Sequence, residues 1–511
     1  MKLNLESLQN KDNWPADYKL PQFDIPAIHK QTEAAPTWLH MGAGNIFRIF
    51  IGGIQQDLLE KGLADTGIVV WEGFDDEIIT KAFDPYDNLT LGVTLNTDGS
   101  IDKQVIASMP IAFAGDAKRL HDIISKPSMQ LISLTITEKG YAINADHICD
   151  SPQTAVTTLE QTAAGLYARF LARAKPLALV AMDNFAENGT HLAKAIETIA
   201  VKWYQNGNVT ADFVDYAKSQ AYPWTMIDKI TPRPSEIVAD MLAKDGYEDT
   251  AITVTSKNTY AASFVNAEAA QYLVIEDNFP NGRPLLEKAG VYMTDQETVR
   301  RSDQMKVCAC LNPLHTALAI SGMLLNYPTI ADCMKDERLV ALIRQVAKES
   351  LPMMEDPGII NPEAFLEEVL TQRFPNPFIP DTPARIASDT SQKIPVRFGI
   401  NLKARQDKGL SFDELTATPL VIALWLRYRM GADDSGQALT LSPDSRCPEA
   451  VAALQDLQFG QKIDFRPILS DAGLFGIDLY TTKLGERVER IFEELVRDVS
   501  AVEAILTKYT I

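Results

Sequence analysis

Two glycines separated by one residue, Gly42 and Gly44, could let the backbone approach a phosphate group. They follow the apolar residues 37–41 and precede an amphipathic stretch that begins at Asn45. A glycine turn between a strand and a helix is typical of sites that bind the pyrophosphate of a dinucleotide at a helix N-terminus. Gly42 would form the tight turn, and Gly44 would allow the close approach. The alternative is an ordinary strand-to-helix turn, because Phe47 occupies the place of the third glycine of this fingerprint.

Charged residues near this turn could contact the same cofactor. Arg48 could add positive charge toward a phosphate, and Glu72, with Asp75 and Asp76 close by, could accept a hydrogen bond from a ribose 2′-hydroxyl. Glu72 follows the turn at a longer spacing than the roughly 20 residues usual for this fingerprint. A carboxylate there favours NAD over NADP, because it repels the 2′-phosphate. The predicted cofactor-binding residues are Gly42, Gly44, Asn45, Ile46, Arg48 and Glu72.

Apolar periodicity predicts the elements that would position these residues. The first 35 residues are polar and contain prolines, and they are predicted to form an irregular arm. After this arm, short apolar runs alternate with helical stretches, and the predicted strands are residues 37–41, 68–71, 131–136 and 177–182. This alternation is typical of a parallel sheet with helices on both faces. We therefore predict an α/β domain with a parallel sheet over residues 1–285, the arm included.

The second half of the chain has a different pattern. Beyond about residue 285, apolar residues recur with a period of 3.6, as in residues 312–326 and 414–430. This pattern predicts a mainly α-helical domain over residues 286–511. One C-terminal helix is predicted to carry the apolar residues Val488, Ile491, Phe492, Leu495, Val499, Val502 and Leu506.

The composition restricts the classes of partner. The chain has 511 residues, with 48 Lys and Arg against 68 Asp and Glu, and its formal net charge is −20. A surface for nucleic acid or for an anionic membrane needs clustered basic residues, so this balance argues against both. An apolar fraction of 46% argues against a disordered chain. An anionic small substrate stays compatible with the charge, because a few buried cations are enough to define its site.

Cysteine and histidine usage argues against a metal site and a disulfide framework. The five cysteines are scattered without paired Cys-x-x-Cys motifs, and the six histidines lack the pairing typical of catalytic zinc. Cys308 and Cys310 lie in an apolar run, which favours core residues over nucleophiles. The N-terminus lacks the apolar segment of a signal peptide, and no run of 18 apolar residues predicts a membrane span. These features predict a reduced, cytoplasmic protein without a metal.

Several strings along the chain, taken together, resemble the polyol-specific long-chain dehydrogenase/reductase family. They are GAGNIFR (42–48), SLTITEKGY (133–141), MDNFAENG (182–189), MIDKITP (226–232), VIEDNFPNGRP (274–284), MKVCACLNPLH (305–315) and NPFIPDTPARIASDTSQKIP (376–395). The resemblance implies a Rossmann-type N-terminal domain, a helical C-terminal domain and a cleft between them. It also implies zinc-independent oxidation of a secondary alcohol, or the reverse ketone reduction, with NAD as the expected cofactor and NADP as an alternative.

The resemblance further implies a set of catalytic residues. Lys306 matches the lysine that acts as the general base, a role open to a lysine whose pKa falls toward 7–8. Asn184 and Asn312 match the amides that donate to the substrate oxygen. His315 matches a histidine that contacts the substrate, and Asp228 matches an acidic residue that tunes the lysine. Each alone has a structural alternative, such as a solvated lysine, a core histidine or a helix cap.

One spacing departs from the family pattern, which is Lys-x4-Asn-x2-His. Here five residues separate Lys306 from Asn312, and two separate Asn312 from His315. One extra residue would rotate the lysine by about 100° on a regular helix. We therefore predict a π-bulge or an irregular first turn, features that often mark functional sites. Pro313 suits the start of a helix and predicts that Asn312 lies near an N-cap.

The resemblance also implies cationic substrate contacts. Arg385 and Lys393 match these contacts, and Asn376 would orient their loop. Arginine can hold a carboxylate through two hydrogen bonds, and lysine can hold it as a point charge. The structural alternative for Arg385 is a salt bridge with Asp381 or Asp389.

The expected substrate is a small sugar acid or polyol. Residues 312–319 favour the hexuronate branch of the family, which predicts reduction of D-fructuronate by NADH to D-mannonate. Reduction of tagaturonate and oxidation of mannitol are the alternatives. An alternative of a different class is a non-catalytic nucleotide-sensing protein on the same scaffold. We expect a monomer or a small homo-oligomer that binds neither nucleic acid nor membrane.

Overall fold

The structure is a computed structural model and describes residues 1–510. The chain divides into two compact units, Met1–Arg300 and Arg301–Ile511. The predicted boundary at residue 285 therefore lies inside the first unit. The reason is a late strand, Tyr292–Thr294, which pairs in parallel with the strand Tyr272–Glu276 and so belongs to the first unit.

The first unit combines strands and helices. Its strands are β1 (Tyr18–Lys19), β2 (Trp38–Met41), β3 (Ile68–Glu72), β4 (Thr90–Leu95), β5 (Ile101–Ile106), β6 (Ile111–Ala114), β7 (Leu131–Leu134), β8 (Ala178–Ala181), β9 (Thr225–Asp228), β10 (Thr253–Val254), β11 (Tyr260–Ala261), β12 (Phe264–Glu268), β13 (Tyr272–Glu276) and β14 (Tyr292–Thr294). Its helices are α1 (Leu5–Gln9), α2 (Ile25–Ala34), α3 (Gly52–Glu60), α4 (Glu77–Ala82), α5 (Ala117–Ser125), α6 (Thr158–Leu171), α7 (Asn188–Gln205), α8 (Ala211–Lys218) and α9 (Glu236–Lys244).

Five strands of the first unit form a parallel sheet in the order β6-β3-β2-β7-β8. This sheet confirms the predicted Rossmann-type domain. The chain leaves β2 toward β3 on one side, and β7 lies on the other side of β2, so the strand order reverses there. Ligands of open α/β sheets bind at such a reversal, beyond the carboxyl ends of the strands. The segments that follow β2, β3, β7 and β8 therefore meet at one edge of the sheet.

The two faces of this sheet are covered by separate apolar clusters. Leu39 and Met41 of β2 belong to a cluster with residues of α5, α6, α7 and α8, whereas Trp38 belongs to a cluster with residues of α3. Side chains alternate between faces along a strand, so neighbouring residues of β2 serve different clusters. Burial on both faces explains why this strand is apolar at almost every position.

The remaining strands form smaller sheets, in the orders β1-β5-β4-β12, β14-β13-β9 and β10-β11. The N-terminal arm was predicted to be irregular, but it contains the helix α2 and the strand β1. Asp24 caps α2 by accepting a hydrogen bond of 3.0 Å from the backbone N–H of Ala27. Pro26 lies in the first turn, where a proline is tolerated because its missing N–H would have no helical partner.

The second unit is mainly helical, which confirms the predicted fold class. Helix α10 (Gln296–Met305) leads into it, and the helices that follow are α11 (Asn312–Leu324), α12 (Ile330–Cys333), α13 (Glu337–Ser350), α14 (Pro362–Glu368), α15 (Pro383–Ala387), α16 (Thr390–Ile394), α17 (Ile400–Asp407), α18 (Ala417–Tyr428), α19 (Glu449–Ala452), α20 (Arg466–Leu469), α21 (Ala472–Phe475), α22 (Leu484–Leu495) and α23 (Ala501–Thr510). Helix α18 is buried along its whole length and packs against α11, α13 and α22.

The predicted single C-terminal helix is wrong, because the structure has two helices there, α22 and α23. Between them Ser500 adopts a left-handed φ of 64°, and Val499 is 56% exposed. Asp434 binds the start of α23 by accepting hydrogen bonds from the backbone N–H groups of Val502 (2.8 Å) and Glu503 (3.1 Å).

One helical stretch, Gln296–Leu324, is long and apolar enough by composition to cross a membrane. Its most apolar part is largely buried inside the protein. The core helix of a globular protein has the same composition, so this stretch is weak evidence for a membrane span.

Candidate functional site

The predicted glycine turn lies directly after β2. Gly42 adopts a φ of 113°, and a Cβ atom there would lie 2.6 Å from the backbone oxygen of Thr135, so only glycine fits. A helix begins at Asn45 and Ile46 and widens into a π-helical turn, Phe47–Ile51, before α3. Phe47 replaces the third glycine of the usual fingerprint and stacks on His40 of β2, with ring centroids 3.9 Å apart.

The turn leaves room for a ligand. A Cβ atom at Gly44 would have no atom within 4 Å, and a cavity of about 270 Å³ opens beside it. Arg233 contributes to the cavity wall, with its guanidinium carbon 4.7 Å from the centroid of the Tyr260 ring. An open glycine backbone, a helix start and a cation fit the pyrophosphate of a dinucleotide. Arg233 was not among the predicted residues, because no local pattern in the sequence connects it with the distant turn.

Arg48 also borders this cavity, but its guanidinium is largely bound within the first unit. Its Nε donates to Oγ1 of Thr90 (3.1 Å), and one terminal nitrogen donates to the backbone oxygens of Ala82 (3.3 Å) and Ala262 (3.0 Å). Burial lowers the pKa of Arg48 to about 10. Arg48 thus joins the helix after the turn to other segments of the unit. Its contact with a cofactor phosphate stays a prediction.

Glu72, at the end of β3, holds the turn in place. One carboxylate oxygen accepts a hydrogen bond of 2.7 Å from the backbone N–H of Ala43, and the other accepts from Phe74 (2.7 Å) and Asp75 (3.0 Å). Three backbone donors already occupy this carboxylate, and its contact with a ribose hydroxyl stays a prediction. Asp76, exposed on the same segment, is the more accessible carboxylate.

Asn184 lies on an exposed segment that is shaped by its neighbour Asp183. The Asp183 carboxylate accepts hydrogen bonds from the backbone N–H groups of Ile136 and Thr137 (2.9 Å each) and from the Tyr141 hydroxyl (2.7 Å). Thr137 adopts a left-handed φ of 63°, a conformation that this anchoring supports. The alternative role for Asn184, capping the next helix, does not hold, because α7 begins only at Asn188.

Asn188 connects this segment to β9, the strand that ends at Asp228. Its side-chain amide exchanges hydrogen bonds with the backbone of Thr225, at 3.0 Å and 3.1 Å. A Cβ atom at Gly189 would lie 2.3 Å from the backbone oxygen of Tyr222, so glycine is required there too. The first unit therefore anchors both the segment that carries Asn184 and the strand that carries Asp228.

In the second unit, Lys306 opens a π-helical turn, Lys306–Cys310, which confirms the predicted bulge. The lysine is 1% exposed, and its Nζ lies 3.4 Å from a carboxylate oxygen of Asp303. The side-chain amide of Asn401 donates to the Cys308 carbonyl at 2.6 Å. The wide turn accommodates the extra residue that separates the lysine from the asparagine.

Asn312 is the first residue of α11, with Pro313 in the first turn as predicted. A terminal nitrogen of Arg397 donates to the backbone oxygen of Asn312 (3.2 Å) and to Oγ1 of Thr316 (2.6 Å). Arg397 lies in another π-helical turn of this unit, Pro395–Gly399. Arg397 was not among the predicted residues, although it follows Lys393 by four residues.

His315 faces a carboxylate in the second unit. Its Nε2 lies 2.8 Å from Oδ2 of Asp381, although the two are not aligned as a hydrogen bond, so this is an ion-pair distance only. Burial lowers the pKa of His315, and the neighbouring Asp381 opposes that shift. Arg385 donates to the other oxygen of Asp381 from Nε (3.0 Å) and from a terminal nitrogen (2.6 Å). The structural alternative for Arg385, pairing with Asp381, is therefore present.

Lys393 and Asn376 lie in the same unit. Lys393 Nζ donates to the backbone oxygen of Ile386 at 2.9 Å. Burial and the nearby Arg397 lower the pKa of Lys393 to about 8. Asn376 is buried and accepts a hydrogen bond of 3.0 Å from the backbone N–H of Phe378. Its role in orienting the segment that carries Arg385 and Lys393 stays a prediction.

The cysteines lack the properties of nucleophiles. All five are free, and Cys308, Cys310 and Cys333 are buried. Burial raises the pKa of Cys308 and of Cys310 to about 12, which keeps both thiols protonated at neutral pH.

Comparison with known proteins places these features in a family. The Mannitol dehydrogenase Rossmann domain matches residues 36–288, and the Mannitol dehydrogenase C-terminal domain matches residues 299–496. The D-mannonate oxidoreductase of Thermotoga maritima is 46% identical, over 99% of this chain and 98% of that protein.

Two solved structures share the fold. D-sorbitol dehydrogenase in substrate-free form gives a TM-score of 0.81 at 22% identity, over 99% of this chain and 100% of that one. Pseudomonas fluorescens mannitol 2-dehydrogenase, solved with NAD and D-mannitol, gives 0.72 at 23% identity, again over 99% and 100%. Because the two domain models cover most of the sequence and a 46% identical relative spans nearly all of it, the chain belongs to the mannitol dehydrogenase family of oxidoreductases.

Proposed function

We propose that this protein is an NAD-dependent oxidoreductase that interconverts D-fructuronate and D-mannonate without a metal ion, with Lys306 as the general acid and base. The substrate assignment is supported by the 46% identity, over nearly the full length of both chains, to a protein named D-mannonate oxidoreductase. The family itself supports the coarser activity, oxidation and reduction of a sugar acid or polyol.

The first unit holds the cofactor in this proposal. The backbone at Gly42 and Gly44 binds the pyrophosphate beside the start of the helix, where the cavity and Arg233 support an anion. Glu72 keeps the turn in position through the Ala43 N–H. The nicotinamide, when bound, supplies or accepts the hydride.

In this proposal, side chains of the protein transfer the proton and stabilise the reacting oxygen of the substrate. Lys306 donates a proton to the carbonyl oxygen during reduction and removes it during oxidation. Asn184 and Asn312 donate hydrogen bonds to the same oxygen and stabilise its developing charge. His315, with its Nε2 facing Asp381, contacts the substrate, and Asp228 tunes the lysine. In the part of the chain that the structure describes, no group of three or more His, Cys, Asp or Glu side chains is arranged to hold a metal ion.

The test is an NADH-oxidation screen of purified protein against D-fructuronate, tagaturonate and D-fructose, repeated with NADPH and after dialysis against EDTA. We expect the highest kcat/KM for D-fructuronate with NADH, unchanged by EDTA. A higher kcat/KM for D-fructose than for both uronates would overturn the substrate assignment. Cofactor binding without turnover of any substrate would favour the nucleotide-sensing alternative, and loss of activity in EDTA that zinc restores would contradict the metal-free mechanism.

A further inference from the structure

Arg397 carries a positive charge to the first turn of α11, where Asn312 and His315 lie. One of its terminal nitrogens donates to Thr316 Oγ1 and to the Asn312 carbonyl. Its other terminal nitrogen and its Nε have no hydrogen-bond partner within residues 1–510. Arginine presents these two donors as a planar fork that matches a carboxylate. The side chain is only partly exposed, so a ligand at the fork would be partly shielded from water.

Within residues 1–510, Arg397 and Lys393 also have no counter-ion. Neither has a carboxylate oxygen within 4 Å in the described part of the chain. The nearby carboxylates are engaged elsewhere: Asp389 accepts hydrogen bonds from the backbone N–H and hydroxyl of Ser445, and Asp444 accepts from the N–H and hydroxyl of Ser391. Two partly buried cations without an ionic partner cost free energy, and a bound anion would offset that cost.

Both cations have lowered pKa values, and Arg397 contributes to the shift of Lys393. Burial, together with the charge of Arg397, lowers the pKa of Lys393 to about 8. Burial also lowers the pKa of Arg397, to about 10. Perturbed groups of this kind cluster at functional sites. Arg385, in contrast, is largely exposed and already holds a carboxylate, that of Asp381.

We propose that Arg397, together with Lys393, binds the carboxylate of the sugar-acid substrate and makes the site selective for sugar acids over neutral polyols. This inference rests on the proposed function. The main carboxylate contact is then Arg397 instead of Arg385. Arg385 already pairs with Asp381, whereas the Nε and the second terminal nitrogen of Arg397 have no hydrogen-bond partner among residues 1–510. The hydrogen bonds of Arg397 to Thr316 and Asn312 would place that carboxylate at a fixed position relative to the first turn of α11.

The experiment compares Arg397→Gln and Arg397→Lys with wild-type protein, using D-fructuronate as the charged substrate and D-fructose as the neutral one. We expect Arg397→Gln to raise the KM for D-fructuronate about tenfold or more, because a charge-assisted hydrogen bond to the carboxylate is lost. Arg397→Lys should raise it less, because one charge remains. KM or, where turnover is too slow, the inhibition constant for D-fructose should change less than about threefold.

Arg490→Gln is the matched control, because Arg490 is exposed in the same unit and remote in sequence from the site; it should behave as wild type. NADH affinity and thermal unfolding of each variant establish that the fold is intact. If Arg397→Gln and Arg397→Lys leave the KM for D-fructuronate unchanged, or impair both substrates equally, Arg397 has only a structural role and the inference is overturned. If wild-type protein reduces no uronate, the proposed function fails first, and the inference fails with it.

Discussion

The side-chain amide of Asn401 donates a hydrogen bond of 2.6 Å to the backbone carbonyl of Cys308, inside the π-helical turn that Lys306 opens. The Cys308 thiol also donates to the backbone oxygen of Val396, at 3.3 Å. A π-turn interrupts the regular hydrogen-bond ladder of a helix, and partners from outside the helix compensate for the change. The direction of Lys306 is therefore set partly by Asn401, a residue far along the chain.

Replacing Asn401 tests this relationship. We expect Asn401→Ala to lower kcat about 10-fold to 100-fold, because a small misplacement of a catalytic group costs that much, with little change in NADH affinity. Steady-state kinetics and NADH fluorescence titration measure both quantities. Lys403→Ala, on the exposed side of the same helix, is the control. Equal losses of kcat in the two variants would contradict a specific role for Asn401.

Lys306 itself is expected to be indispensable for turnover. Lys306→Ala should lower kcat by at least about 100-fold, the usual contribution of a general acid or base, while NADH still binds. Stopped-flow measurement of NADH oxidation and a separate binding titration separate the two effects. Activity near that of wild type would remove Lys306 from the mechanism.

Two glycines of the turn should respond differently to an added methyl group. Gly42→Ala should lower both thermal stability and NADH affinity, because φ is 113° and the Cβ would meet Thr135. Gly44→Ala should keep the stability, since no atom lies within 4 Å, but weaken NADH binding by blocking close approach. Gly53→Ala, in α3 and also free of contacts, should bind NADH normally. Normal NADH affinity in Gly44→Ala would argue for an ordinary turn.

The affinity for D-fructuronate should depend on the charge of Lys393. Its pKa is lowered to about 8 by burial and by Arg397 and Arg385, against the opposing Asp389 and Asp444. Below pH 8 the amine is protonated and attracts the carboxylate; above pH 8 it becomes neutral. KM should therefore rise as the pH increases through 8. Lys393→Arg keeps its charge over this range and should show a flatter profile; identical profiles for both proteins would contradict the assignment.

Local patterns were sufficient for the elements that carry the site. The strands β2, β3, β7 and β8 are apolar on both faces, and the glycine turn follows the first of them, so periodicity located them. The bulge at Lys306 was predicted from one extra residue between Lys306 and Asn312, compared with the family pattern. Each of these features depends on residues that are neighbours in the sequence.

Features that depend on distant residues were not predictable in this way. Strand β4 pairs with β12, more than 150 residues later, and no pattern in either strand identifies its partner. The periodicity of the C-terminal helix continues past Leu495, but a second helix begins at Ala501, where Asp434 accepts a hydrogen bond from the backbone N–H of Val502. The oxygens that bind Arg48, and the donors that occupy Glu72, come from segments that meet only in the folded chain.

The position of Glu72 has a consequence for protein engineering. A carboxylate after the second strand repels the 2′-phosphate of NADP, so its removal is the expected first step of a change from NAD to NADP. Here that substitution would release the backbone amides of Ala43, Phe74 and Asp75 together and loosen the turn for either nucleotide. A change of coenzyme preference should therefore start at Asp76, which is exposed, and leave Glu72 in place.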